Sequence, residues 1–180
     1  LYTNVRVIDG SGEKPFNGEV LVEGEQISTV SKTGEPLNNA GAKVIDGGGG
    51  TLMPGLLDAH SHLSFTNTMD PVETALIPPE DHTLMCMKNA RIILDHGFTS
   101  CFGAAAPNPR LDVVNRDAIA AGDIDGPRLL ACSRQLGPTG GFNDERLPHL
   151  GDTTPAMSVC CDGPEEFQRA TREACRDGVD

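Results

Sequence analysis

The sequence pattern changes once along the chain, at the run Gly47–Gly50, and this change most constrains the fold. Before it, short alternating apolar segments such as the one around Val5 are separated by turn-forming residues. After it, strand-like apolar runs alternate with segments of helical period, which is typical of parallel β/α units. We therefore predict a small antiparallel β domain over residues 1–52 and an α/β unit over residues 53–180.

The second unit is predicted to contain three strands with a helix after each. The predicted strands are Leu56–Leu63, Phe98–Gly103 and Arg128–Ser133. The predicted helices are Glu80–His96, Leu111–Ala121 and a third that is capped by Asp162 and ends near Gly178, after which Val179 and Asp180 open a fourth strand. So few parallel strands leave sheet edges unpaired, and an eight-unit barrel needs about 250 residues. We expect the chain to hold the first units of a larger barrel.

The strand Leu56–Leu63 carries the residues best suited to chemistry. It follows Pro54 and includes His60 and His62, which strand alternation places on one face, with Asp58 one step deeper on that face. Two adjacent imidazoles at a strand end can bind one metal ion. We predict His60 and His62 as metal ligands and Asp58 as an outer carboxylate that orients them.

Composition limits the kinds of partner. The formal net charge of −12 argues against nucleic acid and against an anionic membrane surface. The apolar runs are far shorter than the roughly 20 residues of a membrane-spanning helix. Six cysteines without a C-x-x-C pair are read as buried free thiols, which fits a cytoplasmic protein.

The residues around the histidine pair resemble the amidohydrolase superfamily of metal-dependent hydrolases. The β domain followed by the segment Pro54–His62 has the order found there, where this strand is the first of a (β/α)8 TIM barrel that follows a small β-sandwich. The stretches His96–Ser100, Asp125–Arg128 and Gly137–Gly141 look like the branch that contains prolidase-like and imidazolonepropionase-like enzymes.

The resemblance implies a metal centre larger than this chain supplies. It gives His60 and His62 to the more buried of two divalent ions, usually Zn²⁺. It places the bridging carboxylated lysine, two further histidines and the catalytic aspartate beyond Asp180, so no catalytic residue is assigned within the chain. It also implies a homo-oligomer and the remainder of the same barrel as partners.

The glycine- and proline-rich loop Gly137–Gly151 follows the third predicted strand at the face where barrel active sites form. Four residues in it are candidate substrate contacts: Thr139, Phe142, Asn143 and His149. The alternative is an ordinary surface loop. The preceding loop, Thr66–Pro79, either covers the site with Met69, Leu76 and Ile77 or packs them on the helix beneath. His82 and His96, at predicted helix ends, are read as structural.

Two functions follow. The first is a metal-dependent hydrolase that cleaves an amide or peptide-like C–N bond of a small molecule, in which the metal lowers the pKa of bound water to about 7 and supplies hydroxide. The alternative is a barrel of the same lineage that has lost catalysis and serves as a binding or assembly subunit. Retention of both His60 and His62 favours the enzyme.

Overall fold

The computed structural model describes residues 1–32, 35–38, 41–67, 70–153 and 156–180. Met69, one of the candidate cover residues, and Thr33 and Gly34, in a predicted turn, lie outside this range. The chain divides into two compact units, Leu1–Pro54 and Gly55–Asp180. Among the described residues, no helix combines the length and apolar character that crossing a membrane requires.

The first unit is a five-stranded sheet around a small apolar core. Its strands are β1 (Tyr2–Val7), β2 (Phe16–Glu23), β3 (Gln26–Lys32), β4 (Ile45–Asp46) and β5 (Thr51–Leu52). The order is β3-β2-β1-β4, and β5 also pairs with β1. Val5, Val7 and Val20 are buried between the strands.

The sheet is mixed, so the prediction of a purely antiparallel sheet is wrong. β2 runs antiparallel to β1 and β3, whereas β4 and β5 both run parallel to β1. Between β4 and β5 the glycine run leaves the edge of β1, and the chain then pairs with β1 again in the same direction. Gly48 and Gly49 have positive φ in this run. A Cβ at Gly47 would lie 2.3 Å from Val5 Cγ1, so this close approach requires glycine.

The second unit contains both strands and helices. Its strands are β6 (Leu56–Ser61), β7 (Phe98–Gly103), β8 (Arg128–Leu130), β9 (Gln135–Gly137) and β10 (Ser158–Cys160). Its helices are α1 (Pro71–Ala75), α2 (Pro79–Asp95), α3 (Leu111–Ala121) and α4 (Pro164–Asp177), with a 3₁₀ helix at Pro148–Thr153.

β6, β7 and β8 form a parallel sheet in that order, joined by α2 and α3. Each of the two helices is followed by a glycine in a left-handed conformation, which is typical of helix ends: Gly97 after α2 and Gly122 after α3. β8 is shorter than the predicted Arg128–Ser133, because the chain leaves the sheet after Leu130. Asp180 has no strand assignment, but its amide donates to the Ala131 carbonyl at 3.1 Å, beside β8.

The region after β8 contains one feature that the sequence did not reveal and one prediction that is wrong. β9 and β10 form a separate parallel pair that the pattern does not indicate. Gly163, and not Asp162, caps α4; the Asp162 carboxylate instead accepts bonds from the amide and hydroxyl of Thr139, at 2.8 and 2.6 Å.

The core of the second unit lies between the parallel sheet and helices α2 and α3. Its buried members come from both helices, from the strands and from the loops after them: Leu63, Cys86, Ala90, Cys101, Ala106, Leu111 and Leu129. All six cysteines are free thiols, as predicted, but only Cys86, Cys101 and Cys161 are buried, and Cys175 is exposed. Cys175 is exposed because it lies on an outer face of α4.

Candidate metal centre

The two candidate ligands lie at the end of β6. His60 is within the strand and His62 follows its last residue, Ser61. Because β6, β7 and β8 are parallel, their carboxyl ends and the loops that follow share one edge of the sheet. In barrel enzymes this edge carries the active site.

A β-bulge shapes this end of β6. Asp58 pairs with Cys101 and Ser61 pairs with Gly103, so β6 has one residue more than β7 between these pairs. The bulge interrupts the alternation that predicted one shared face for Asp58 and the histidines. The Asp58 carboxylate accepts the amide N–H of His60 at 3.1 Å. Asp58 therefore supports the backbone of a candidate ligand, and its role toward an imidazole stays a prediction.

The two imidazoles meet despite the bulge. Their ring centroids are 5.1 Å apart, and the rings are nearly perpendicular. His62 also stacks on Phe65, with centroids 4.1 Å apart and an interplanar angle of 10°. Its Nδ1 lies 3.0 Å from the carbonyl oxygen of Ala105.

The Ala105 contact fixes the tautomer of His62. A carbonyl oxygen only accepts, so Nδ1 donates its N–H and Nε2 is left with a lone pair. An imidazole that donates its other N–H to a backbone carbonyl is the usual arrangement of a metal ligand. His62 thus has the hydrogen bonding of a metal ligand, and the ring of His60 lies beside it.

The pair is not a complete site. Within the described part of the chain, no group of three or more His, Cys, Asp or Glu side chains could hold a metal ion. A catalytic zinc site commonly has three protein ligands. His60 and His62 would provide two ligands of such a site, and at least one more would come from elsewhere.

A buried carboxylate near the pair was not singled out from the sequence. Asp112, in the first turn of α3, is 1% exposed. Its Oδ2 accepts the thiol of Cys132 at 3.0 Å, while its Oδ1 is buried without a hydrogen-bond partner. It occupies space beside Gly103, where a Cβ would lie 2.2 Å from Oδ2. Burial raises the pKa of Asp112, an effect partly opposed by the hydrogen bonds from the thiol and the amide of Cys132.

The buried carboxylate also affects its thiol neighbours. Burial, followed by the charge of Asp112, raises the pKa of Cys86 to about 12 and raises the pKa of Cys132 as well. Both thiols therefore stay protonated at neutral pH and are poor nucleophiles. We read them as core groups rather than catalytic ones.

Asp112 should make stability depend on pH. Because its folded-state pKa lies above the unfolded value near 3.8, its stabilising contribution is complete below that value and is lost as pH rises through the folded-state pKa. Asp112→Asn removes this titration. We expect the melting temperature of the variant, relative to the parent protein, to increase between pH 4 and pH 7 in the presence of a chelator. Asp123→Asn, at an exposed carboxylate, is the control; equal behaviour of both variants would contradict the prediction.

The four candidate substrate contacts differ in what they do. The hydroxyl of Thr139 donates to Asp162, and the side-chain amide of Asn143 donates to Gln135 Oε1 at 3.0 Å. Phe142 is 78% exposed, and His149, in the 3₁₀ helix, is also exposed. Thr139 and Asn143 thus hold the loop together, while Phe142 and His149 face solvent.

The histidines at the ends of α2 have structural contacts. His82 is fully buried, and its Nε2 donates to the Ser64 carbonyl at 2.8 Å. His96 Nδ1 donates to the Ile92 carbonyl at 2.7 Å. Each ring therefore ties a helix end to backbone.

Comparison with known proteins identifies the family. The model of the amidohydrolase family matches residues 51–180, so the chain belongs to the amidohydrolase family, and the predicted resemblance is confirmed. The chain is 28% identical to a dihydroorotase of Clostridioides difficile (strain 630) over 156 residues, covering 82% of this chain and 36% of that protein. It is 30% identical over 154 residues to a dihydroorotase of Leifsonia xyli, covering 84% of this chain and 30% of that protein.

Solved structures place the chain near peptide-cleaving members. A prolidase complexed with N-methylphosphonate-L-proline aligns with a TM-score of 0.84 at 27% identity, covering 99% of this chain and 44% of that one. A Xaa-Pro dipeptidase with methionine in its active site aligns with a TM-score of 0.80 at 25% identity, covering 99% and 45%. The chain spans less than half the length of each of these four proteins.

Proposed function

We propose that the protein containing this chain is a metal-dependent hydrolase that cleaves an amide or peptide-like C–N bond of a small molecule. The observation that carries the proposal is the His60–His62 pair, with the Nε2 of His62 left available by its bond to Ala105. Membership of the amidohydrolase family gives the pair its chemical context.

The exposed face of the parallel sheet supports a barrel. Leu57, Phe102 and Leu130 share one face by register and are 65%, 49% and 46% exposed, although α2 and α3 cover the other face. Large apolar side chains on a strand are normally packed. We propose that β6, β7 and β8 are the first strands of a (β/α)8 barrel whose interior holds this face.

His60 and His62 would hold a divalent ion, for which we propose zinc, because imidazole nitrogen is one of its preferred ligands. When bound, such an ion supplies an activated water at neutral pH and polarises a carbonyl oxygen. The chain's own residues contribute position: Phe65 and the Ala105 carbonyl fix the ring of His62, and Asp58 fixes the backbone of His60.

The relatives suggest the substrate class. The names of the relatives refer to dihydroorotate and to peptides that contain proline. Both substrates contain an amide C–N bond. We therefore propose an amide, cyclic amide or dipeptide-like substrate for this protein.

Metal removal tests the proposal on the complete polypeptide in which this sequence occurs. We expect dialysis against a chelator to abolish hydrolysis of dipeptides, dihydroorotate and N-acyl amides, and stoichiometric Zn²⁺ to restore it. The physical reason is that, without the metal, water is not activated as a nucleophile at neutral pH. Product formation is followed by chromatography, and bound metal is measured by atomic emission.

The same experiment separates the enzyme from a non-catalytic barrel. A protein that binds zinc at His60 and His62 but hydrolyses no member of the panel would favour a binding or assembly role. Hydrolysis that persists at full rate after complete metal removal would contradict the proposed function.

A further inference from the structure

The connection from β8 to α4 is held by hydrogen bonds over its described residues, 131–153 and 156–163. It leaves β8 at the edge that carries His60 and His62, because β6 and β8 are parallel members of one sheet. Within it, β9 and β10 pair in parallel from Gln135 to Cys160. A loop at this edge is placed to contact a substrate of the metal site.

Asp144 fixes the turn that follows β9. Its Oδ2 accepts the amide of Gly140 at 2.7 Å, and its carboxylate binds Arg146 through Nε at 2.6 Å and Nη2 at 3.0 Å. The Asp144 side chain is only 5% exposed. Hydrogen bonds from Arg146 and from the Gly140 amide hold the pKa of Asp144 well below its ordinary value, so the carboxylate stays charged at neutral pH.

Asn143, the residue that precedes Asp144, is also held by hydrogen bonds. Asn143 has φ 65°, a left-handed conformation that asparagine tolerates better than most residues. Its carbonyl accepts both the amide and the hydroxyl of Ser158, at 3.2 and 2.8 Å. Its side-chain amide donates to Gln135, so both the carbonyl and the side chain of Asn143 are bonded within the loop.

Phe142 lies between Gly140, whose amide binds Asp144, and Asn143, and its side chain is 78% exposed. A single exposed apolar residue is common and needs no explanation by itself. Here, however, the backbone on both sides is fixed, so the ring is presented with little backbone freedom left to lose on binding. A rigid aromatic side chain provides a large contact area at low entropic cost.

We propose that Phe142 is a specificity-determining contact that selects substrates with an aromatic or bulky apolar group, and that Asp144 is the positioning residue that holds it. This inference rests on the proposed hydrolytic function. It names the substrate class more narrowly than an amide or dipeptide.

Two matched substrate pairs test the contact in the complete, zinc-loaded protein. N-benzoylglycine against N-acetylglycine varies the acyl side, and N-acetyl-L-phenylalanine against N-acetylglycine varies the amine side. In Phe142→Ala we expect the ratio of kcat/KM, aromatic over small, to fall about tenfold in one of the pairs, mainly through KM. Phe142→Leu should keep most of the ratio, and Leu147→Ala, an exposed residue of the same connection, should leave it unchanged.

Asp144→Asn tests the positioning role. It keeps an acceptor for the Gly140 amide but removes the charge that binds Arg146, so we expect a higher KM for the aromatic substrate with kcat for N-acetylglycine unchanged. Asp144→Glu, which restores the charge, should recover part of the loss. Equal losses on aromatic and small substrates would show a merely structural role and overturn this part.

The outcomes separate the two proposals. If the parent protein hydrolyses these amides but Phe142→Ala leaves both ratios unchanged, the specificity proposal fails and the hydrolase stands. If the zinc-loaded parent protein hydrolyses no amide of the panel, the hydrolase proposal fails, and the specificity proposal fails with it.

Discussion

Replacing either His60 or His62 with alanine in the complete protein is expected to remove bound zinc and to lower hydrolysis at least about hundredfold, since loss of an outer-shell partner alone costs 10–100-fold. Metal content by atomic emission and turnover of the best dipeptide or N-acyl amide measure the result. Unchanged metal content and turnover in both variants would contradict the assignment of His60 and His62 as metal ligands.

The two variants should differ in stability, which separates a ligand from a packing residue. His60 contacts the ring of His62 edge to face, with centroids 5.1 Å apart, so in the metal-free protein His60→Ala should cost less free energy of unfolding than His62→Ala. His62 stacks on Phe65 and donates to Ala105, so His62→Ala should cost about 1–2 kcal/mol. Urea unfolding in the presence of a chelator measures this difference.

His96→Ala is the matched control. His96 lies outside the pair, and its Nδ1 donates to the carbonyl of Ile92 in α2, the helix that His96 follows. We expect zinc content and turnover of this variant to equal those of the parent protein. A loss of zinc here as large as in His60→Ala would show that the pair has no special role.

The features that the sequence predicted well are those that local chemistry determines. Gly122 ends α3 in a left-handed conformation, which a residue without a side chain adopts readily. The helix predicted over Glu80–His96 is present as α2, and Cys86 and Ala90 are buried because helical period places them on one face. The closeness of the His60 and His62 rings was predicted from their spacing of two residues, and their role as metal ligands stays a prediction.

The features that the sequence did not reveal depend on pairing between segments that are distant along the chain. β4 and β5 have two residues each and exist through pairing with β1, so no local period indicates them. The bulge before Ser61 is a difference between two strands and cannot be read from either one. It is the reason that Asp58 binds the His60 amide instead of standing on the shared face that alternation predicted.

Asp112 shows the same limit at the candidate site. From its position in the first turn of α3 it reads as an ordinary exposed acid that favours a helix start. It is buried because Gly103, on β7, leaves room for its carboxylate, and because Cys132, after β8, donates to it. Three separate segments create that environment, so the sequence alone could not reveal it.

Gly103→Ala is therefore expected to be strongly destabilising, by about 3 kcal/mol. The new methyl group would lie 2.2 Å from Asp112 Oδ2, 3.0 Å from Cys132 Sγ and 3.1 Å from the Leu130 carbonyl oxygen. The carboxylate cannot move away without breaking its bond to Cys132, and the Leu130 carbonyl is fixed in the sheet. Urea unfolding of the complete, metal-free protein measures the change.

A glycine of similar burial and a second substitution show whether the cause is this clash. Gly137→Ala places its methyl group in ordinary contact, 3.7 Å from the Phe142 carbonyl oxygen, so we expect a loss below about 1 kcal/mol. Adding Asp112→Ala to Gly103→Ala removes the nearest atom, and the two losses should then be less than additive, because contacting residues couple. Full additivity, or a loss in Gly103→Ala no larger than in Gly137→Ala, would mean that Asp112 does not occupy the space beside Gly103.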